Sequence, residues 1–143
     1  MSHGINITRT FAAPREKVFE AWVKPEHFSV WFGSEAIAVP LDTLKMDVRK
    51  GGSWSAVMLL PDGTSKAWVG EYLEIDPPTK LVKTMTDHPE SPNRATITVL
   101  FAEVEGGTEM TMKQVGGNLS EEDCKRATAG YGSFFDSMEN LFV

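Results

Sequence analysis

The chain has 143 residues, 41% hydrophobic and 24% charged, which describes one ordinary globular domain and excludes a disordered or fibrous chain. At this size roughly 68–70% of the unfolded surface leaves water on folding, enough for a core without covalent staples. The 14 Lys and Arg against 20 Asp and Glu give a net charge of -6, a poor match for a phosphate backbone, and the single Cys124 excludes an intramolecular disulfide and a cysteine zinc cluster.

The opening Met1-Ser2-His3-Gly4 has no basic or apolar leader character and no apolar run approaches a membrane span, so the expected compartment is the cytoplasm. Ile5, Ile7, Arg9 and Phe11 share one parity and Asn6, Thr8 and Thr10 the other, the period-two pattern of a strand with one mostly apolar face. Pro14 suits the first turn of a helix, and Val18, Phe19 and Trp22 recur at helical spacing until Pro25 breaks it. A second short helix is expected over residues 26–32, burying Phe28, Trp31 and Phe32, with Gly33 as its stop.

Residues 36–115 read as strands separated by turns. Lys50-Gly51-Gly52, Pro61-Asp62-Gly63, Asp76-Pro77-Pro78-Thr79 and Glu105-Gly106-Gly107-Thr108 are turn signals, and residues 88–93, with two prolines, form a longer loop. Between them lie Trp54/Ala56/Met58/Leu60, Ala67/Val69/Leu73/Ile75, Ile97/Val99/Phe101 and Met110/Met112, so hairpin-connected strands build an antiparallel sheet. Ser120 followed by Glu121, Glu122 and Asp123 opens a helix, and Ala127, Tyr131, Phe134, Phe135, Met138, Leu141 and Phe142 form its apolar stripe. Gly130 and Gly132 weaken this helix and are expected to permit a close backbone approach. The order is strand, two short helices, about six antiparallel strands and a long helix, an α+β domain whose terminal helix covers the sheet.

The sequence resembles the START/Bet v 1-like superfamily, in the branch of activator of Hsp90 ATPase homologues. The resemblance is carried by Ile7-Thr8-Arg9-Thr10-Phe11 with Ala13-Pro14, Val18-Phe19-Glu20-Ala21-Trp22, Pro25-Glu26, and Trp31-Phe32-Gly33. It continues through Asp47-Val48-Arg49-Lys50-Gly51-Gly52, Pro61-Asp62-Gly63, the run from Gly70 to Pro78, and Gly130-Tyr131 to Met138 and Leu141. The resemblance implies a helix-grip fold, in which a curved antiparallel sheet wraps the long C-terminal helix and encloses a cavity. The family has no universal catalytic motif, so the resemblance assigns no catalytic residue.

If Asp62-Gly63 is a two-residue turn, Trp54 faces Glu71, Ala56 faces Val69 and Met58 faces Ala67 on the concave side. If Lys50-Gly51 is the preceding tip, Asp47 lies opposite Trp54 and Arg49 shares its parity. A charged cluster of Asp47, Arg49 and Glu71 around Trp54 then serves as a polar anchor or an acid–base carboxylate, or else as a structural pair at the sheet edge, and a one-residue slip would put all three in water. Tyr131, Phe134, Phe135 and Met138 line the same cavity or pack as core, with Met58 and Met112 as adaptable neighbours. His3, His27 and His88 share no metal-ligand spacing, and neither a nucleophile elbow nor a phosphate loop is present.

These residues point to a binding module for a small hydrophobic or amphipathic molecule oriented by Glu71, Arg49 or Tyr131. The resemblance supplies two alternatives, a chaperone-interaction module and a cyclase- or hydratase-like enzyme using an inward carboxylate. No cofactor, nucleic acid or membrane partner is expected, and a homodimer is compatible with the sequence.

Overall fold

The computed structural model describes residues 4–32, 39–86, 94–116 and 120–142. The expected stop at Gly33 and the loop over residues 88–93 lie outside them. Seven strands, β1 (Gly4–Phe11), β2 (Lys45–Met46), β3 (Ser53–Leu59), β4 (Ser65–Asp76), β5 (Lys80–Met85), β6 (Ala95–Val104) and β7 (Gly107–Gly116), form one antiparallel sheet. Its order is β1-β7-β6-β5-β4-β3-β2, a meander closed at one edge by the N-terminal strand. Helices α1 (Arg15–Val23) and α2 (Pro25–Trp31) follow β1, and α3 (Glu121–Glu139) ends in a short 3-10 turn (Asn140–Phe142). This is an α+β helix-grip fold with a curved sheet. None of the described helices is long and apolar enough to cross a membrane.

Local chemistry sets the breaks. Pro14 precedes α1 in an extended conformation and Pro25 starts α2 at a position that needs no amide donor. Val104 pairs with Gly107, which leaves Glu105-Gly106 as a two-residue tip with Gly106 at φ +85°. The alternation of β1 holds, with Ile5 and Phe11 buried and Asn6, Thr8 and Thr10 exposed. The α3 stripe also faces inward: Tyr131, Phe135 and Met138 are buried, and Phe134, Leu141 and Phe142 are half-buried.

The three helices share the concave face. Toward the β1–β7 side, α3 is tied by Tyr131, whose hydroxyl donates to Gln114 Oε1 at 2.6 Å, and by Arg9, which pairs with Asp136 at 2.6 Å and Glu139 at 2.9 Å. Phe19 of α1 meets Phe101 of β6 edge-on at 5.3 Å. Toward β3 it is α2 that covers the sheet, with Phe28 and Phe32 at 5.9 and 6.1 Å from Trp54. Aromatic contacts run on from α2 into α3, Trp31 meeting Phe135 at 5.9 Å and Phe32 meeting Phe134 at 5.8 Å. The expected close approach at Gly130 and Gly132 does not occur: an added Cβ at either would meet nothing within 4 Å.

Candidate functional site

The turn at Pro61-Asp62-Gly63 sets which side chains of β3 and β4 face inward. Leu59 pairs with Ser65, and the Leu60 amide donates to the Thr64 carbonyl, so the loop has three residues, 61–63, rather than two. The Gly63 amide donates to the Leu60 carbonyl, and Gly63 sits at φ +91°. Proline fits the first central position of a type I turn, whereas an Asp62-Gly63 turn would place it in the ladder without an amide to donate. Asp62 reinforces the loop by accepting from the Thr64 amide and hydroxyl, which hold its carboxyl below the usual range.

The consequence is a shift of one residue. Trp54 lies opposite Gly70, Ala56 opposite Trp68 and Met58 opposite Lys66, while Glu71 faces Ser53. Glu71 therefore points outward, exposed, with Arg94 Nη1 3.8 Å from its carboxylate. The same shift affects the preceding connection, where Met46 rather than Asp47 lies opposite Trp54. Asp47 and Arg49 are both exposed and pair with each other at 2.9 Å. The expected charged cluster around Trp54 is thus absent, and the inward carboxylate that an acid–base reading needed is on the outer face.

The other expected side chains do face inward. Trp54, Met58, Met112, Tyr131, Phe135 and Met138 are buried and Phe134 is half-buried. Tyr131 bonds the Gln114 side chain, and burial pushes its hydroxyl pKa above the ordinary tyrosine value. Met58 accepts from the Trp68 indole at 3.2 Å. Rings from α2 and α3 pack in the space between helix and sheet. Among the described residues, a surface groove of about 600 Å³ lies elsewhere, beside Pro14 and the β6–β7 turn, and another of about 380 Å³ lies between Gly4 and the start of α3.

Among the described residues the buried charged side chain is Lys83. Leu81, Lys83 and Met85 share the buried parity of β5, and Lys83 is 1% exposed. Its Nζ lies 3.7 Å from the centre of the Trp54 ring, 4.6 Å from Phe28, 5.7 Å from Tyr72 and 6.0 Å from Trp22. Among the described residues no carboxylate is within ion-pair distance. Burial drives the Lys83 pKa down to about 7, because the aromatic faces replace only part of the water lost.

Tyr72 lies directly across from Lys83 in the β4–β5 pair and is completely buried. Its hydroxyl has no hydrogen-bond partner among the described residues, and burial, with a contribution from the charge of Asp47, raises its pKa. Trp54 is fixed by its indole N–H, which donates to the Thr84 carbonyl at 2.9 Å. Gly70 makes that reach feasible, since a Cβ there would fall 2.5 Å from the indole nitrogen and 1.8 Å from the Thr84 oxygen. The site is therefore an aromatic enclosure on β3, β4 and β5, roofed by α2, holding an ammonium and a hydroxyl. The overall charge pattern gives no sign of Lys83; the parity of Leu81 and Met85 around it does.

The family described as activator of Hsp90 ATPase homolog 1-like protein matches residues 12–143. No curated protein matches the sequence. Among solved structures, a Chromobacterium violaceum protein aligns with a TM-score of 0.84 at 25% identity, over 96% of this chain and 95% of that one. A Staphylococcus epidermidis protein aligns with a TM-score of 0.78 at 27% identity, over 99% of this chain and 90% of its own. An AHSA1-like protein from Aeromonas hydrophila shares the fold, with a TM-score of 0.77 at 22% identity and coverage of 96% and 90%. Since the family match runs from the end of β1 through all the elements that build the site, the chain belongs to the activator of Hsp90 ATPase homologue branch of the START/Bet v 1-like superfamily.

Proposed function

We propose that the protein is a binding module for a small hydrophobic or amphipathic molecule, seated on the concave face beneath α2. The observation that carries this reading is the Tyr72 hydroxyl, buried without a partner among the described residues beside Lys83 and the rings that surround it. An unpartnered buried hydroxyl costs about 1–3 kcal/mol. A fold selected only for stability would place phenylalanine and an aliphatic residue at these positions, so the polar pair marks a surface that meets a guest. Phe28 and Phe32 stand where the apolar part of that guest lies when bound. The element that moves to admit it is α2, seven residues long and without a side-chain cap.

The family match supports a second reading, interaction with a chaperone. Such contact would use the outer surface and leaves Tyr72 and Lys83 unexplained, which is why ligand binding is preferred. The test is a titration of ¹⁵N-labelled protein with octan-1-ol and 4-phenylbutan-1-ol, followed by amide and indole shifts. Saturable changes centred on the Trp54 indole, α2 and the β4–β5 pair are expected. If the alcohols and their matching acids all leave these resonances unmoved, the ligand-binding reading is wrong.

A further inference from the structure

We propose that the guest of this site is a small monocarboxylic acid, its carboxylate paired with the Lys83 ammonium and accepting a hydrogen bond from the Tyr72 hydroxyl. The inference rests on the ligand-binding reading above and adds the charge and chemical class of the ligand.

The site presents hydrogen-bond donors without a matching acceptor. Lys83 offers an ammonium, and across the strand pair Tyr72 offers a hydroxyl that no group among the described residues engages. The rings around Lys83 attract a cation, and among the described residues no carboxylate lies within ion-pair distance of it. Trp54 cannot turn its indole N–H toward the centre, because that donor is held by Thr84. An acceptor carrying negative charge is the chemical complement of such a set.

What sets Lys83 apart among the described residues is that it lacks a carboxylate partner while buried. At the surface Arg49 pairs with Asp47, Lys80 with Glu74, Lys24 with Glu20 and Arg94 with Glu71. Asp47, whose charge is felt at Tyr72, is thus already engaged by a guanidinium. Buried charges are ordinarily paired, and an ammonium left alone in a water-poor enclosure is the arrangement that an arriving anion completes.

A single negative charge fits better than two. Among the described residues Lys83 is the one cation buried on this face, so a phosphate monoester would bring a second charge with nothing to meet it. The remainder of the guest must be apolar, since the side chains around the Lys83 ammonium are the rings of Trp54, Phe28 and Trp22. A short aliphatic or arylalkyl carboxylate satisfies both requirements.

Calorimetric titration of the full chain with two matched pairs, octanoate against octan-1-ol and 4-phenylbutyrate against 4-phenylbutan-1-ol, tests the inference. Each acid is expected to bind at least tenfold more tightly than its alcohol. Lys83→Met, similar in length and without charge, should abolish that preference while the alcohols still bind. Tyr72→Phe, which removes one oxygen only, should weaken the acids several-fold and spare the alcohols, giving a second variant should the first fail to fold. Equal affinity of acid and alcohol for the parent, or an acid preference that survives Lys83→Met, overturns the acid site and leaves the binding module standing. If none of the four compounds binds, both readings fall.

Discussion

Burying Lys83 couples the stability of the fold to pH in a window where ordinary lysines are silent. Its folded pKa is about 7, whereas a lysine in the unfolded chain titrates near pH ~10.4. Between these values the unfolded chain holds a proton that the folded one has released. Stability therefore rises with pH from about 7 toward 9.5, by up to ~1.4 kcal/mol per pH unit, and is lost again as pH falls toward 7. Above about pH 10 the raised pKa values of Tyr72 and Tyr131 act in the opposite sense, because the unfolded chain loses those protons first. Urea unfolding at pH 7.5 and 9 should show the parent gaining about 1–2 kcal/mol while Lys83→Met stays flat. A flat parent profile would mean that the ammonium retains its water. The charged residues singled out from the sequence, Asp47, Arg49 and Glu71, face solvent, while Lys83, which residue type alone does not single out, is buried. What locates a lone inward lysine is strand parity, and parity is secure only where the register is.

Register is an element-scale property, and the β3–β4 hairpin shows what controls it. Apolar alternation placed the strands correctly, but the pairing depended on whether proline joined the ladder or the loop. Pro61 joined the loop, and every partner moved by one. Gly63→Ala tests the assignment: the residue sits at φ +91°, so the substitution should destabilise by about 1 kcal/mol. The opposite sign is expected in α3. Gly130 lies inside a helix with open space around its missing Cβ, so Gly130→Ala should stabilise by about 1 kcal/mol. Thermal unfolding of the two variants checks both signs, and a loss of stability at Gly130 would reveal a contact on that side of the helix. The turns at Glu105-Gly106 and Asp76–Thr79 lay open in the sequence because each joins strands by a short glycine- or proline-bearing loop.

At the scale of the whole molecule, helix-grip architecture was legible because the α3 stripe had only the sheet to cover. The division of labour among the helices was not, since nothing in sequence spacing says that α2 rather than α3 roofs Trp54. Phe135 joins these parts, touching Trp22 of α1, Trp31 of α2 and Tyr131 of its own helix. Phe135→Ala should cost about 3–5 kcal/mol in denaturant titration, as for other buried aromatics, and an unchanged midpoint would contradict its burial. The pairing of β1 with β7 has a consequence for the order of assembly. Gly4 meets Val115 and Phe11 meets Thr108, so β1 has no partner until the other six strands have followed it. The meander from β2 to β7 closes only short loops, whereas seating β1 closes one spanning most of the protein, and such long closures come late. In stopped-flow measurements Ile5→Val on β1 should therefore speed unfolding and leave the refolding rate nearly unchanged, while Val99→Ala in central β6 should slow refolding. Until β1 docks, the exposed edge of β7 offers a docking place to any extended chain nearby, so the hazard of mispairing is concentrated in the interval before the N-terminal strand returns.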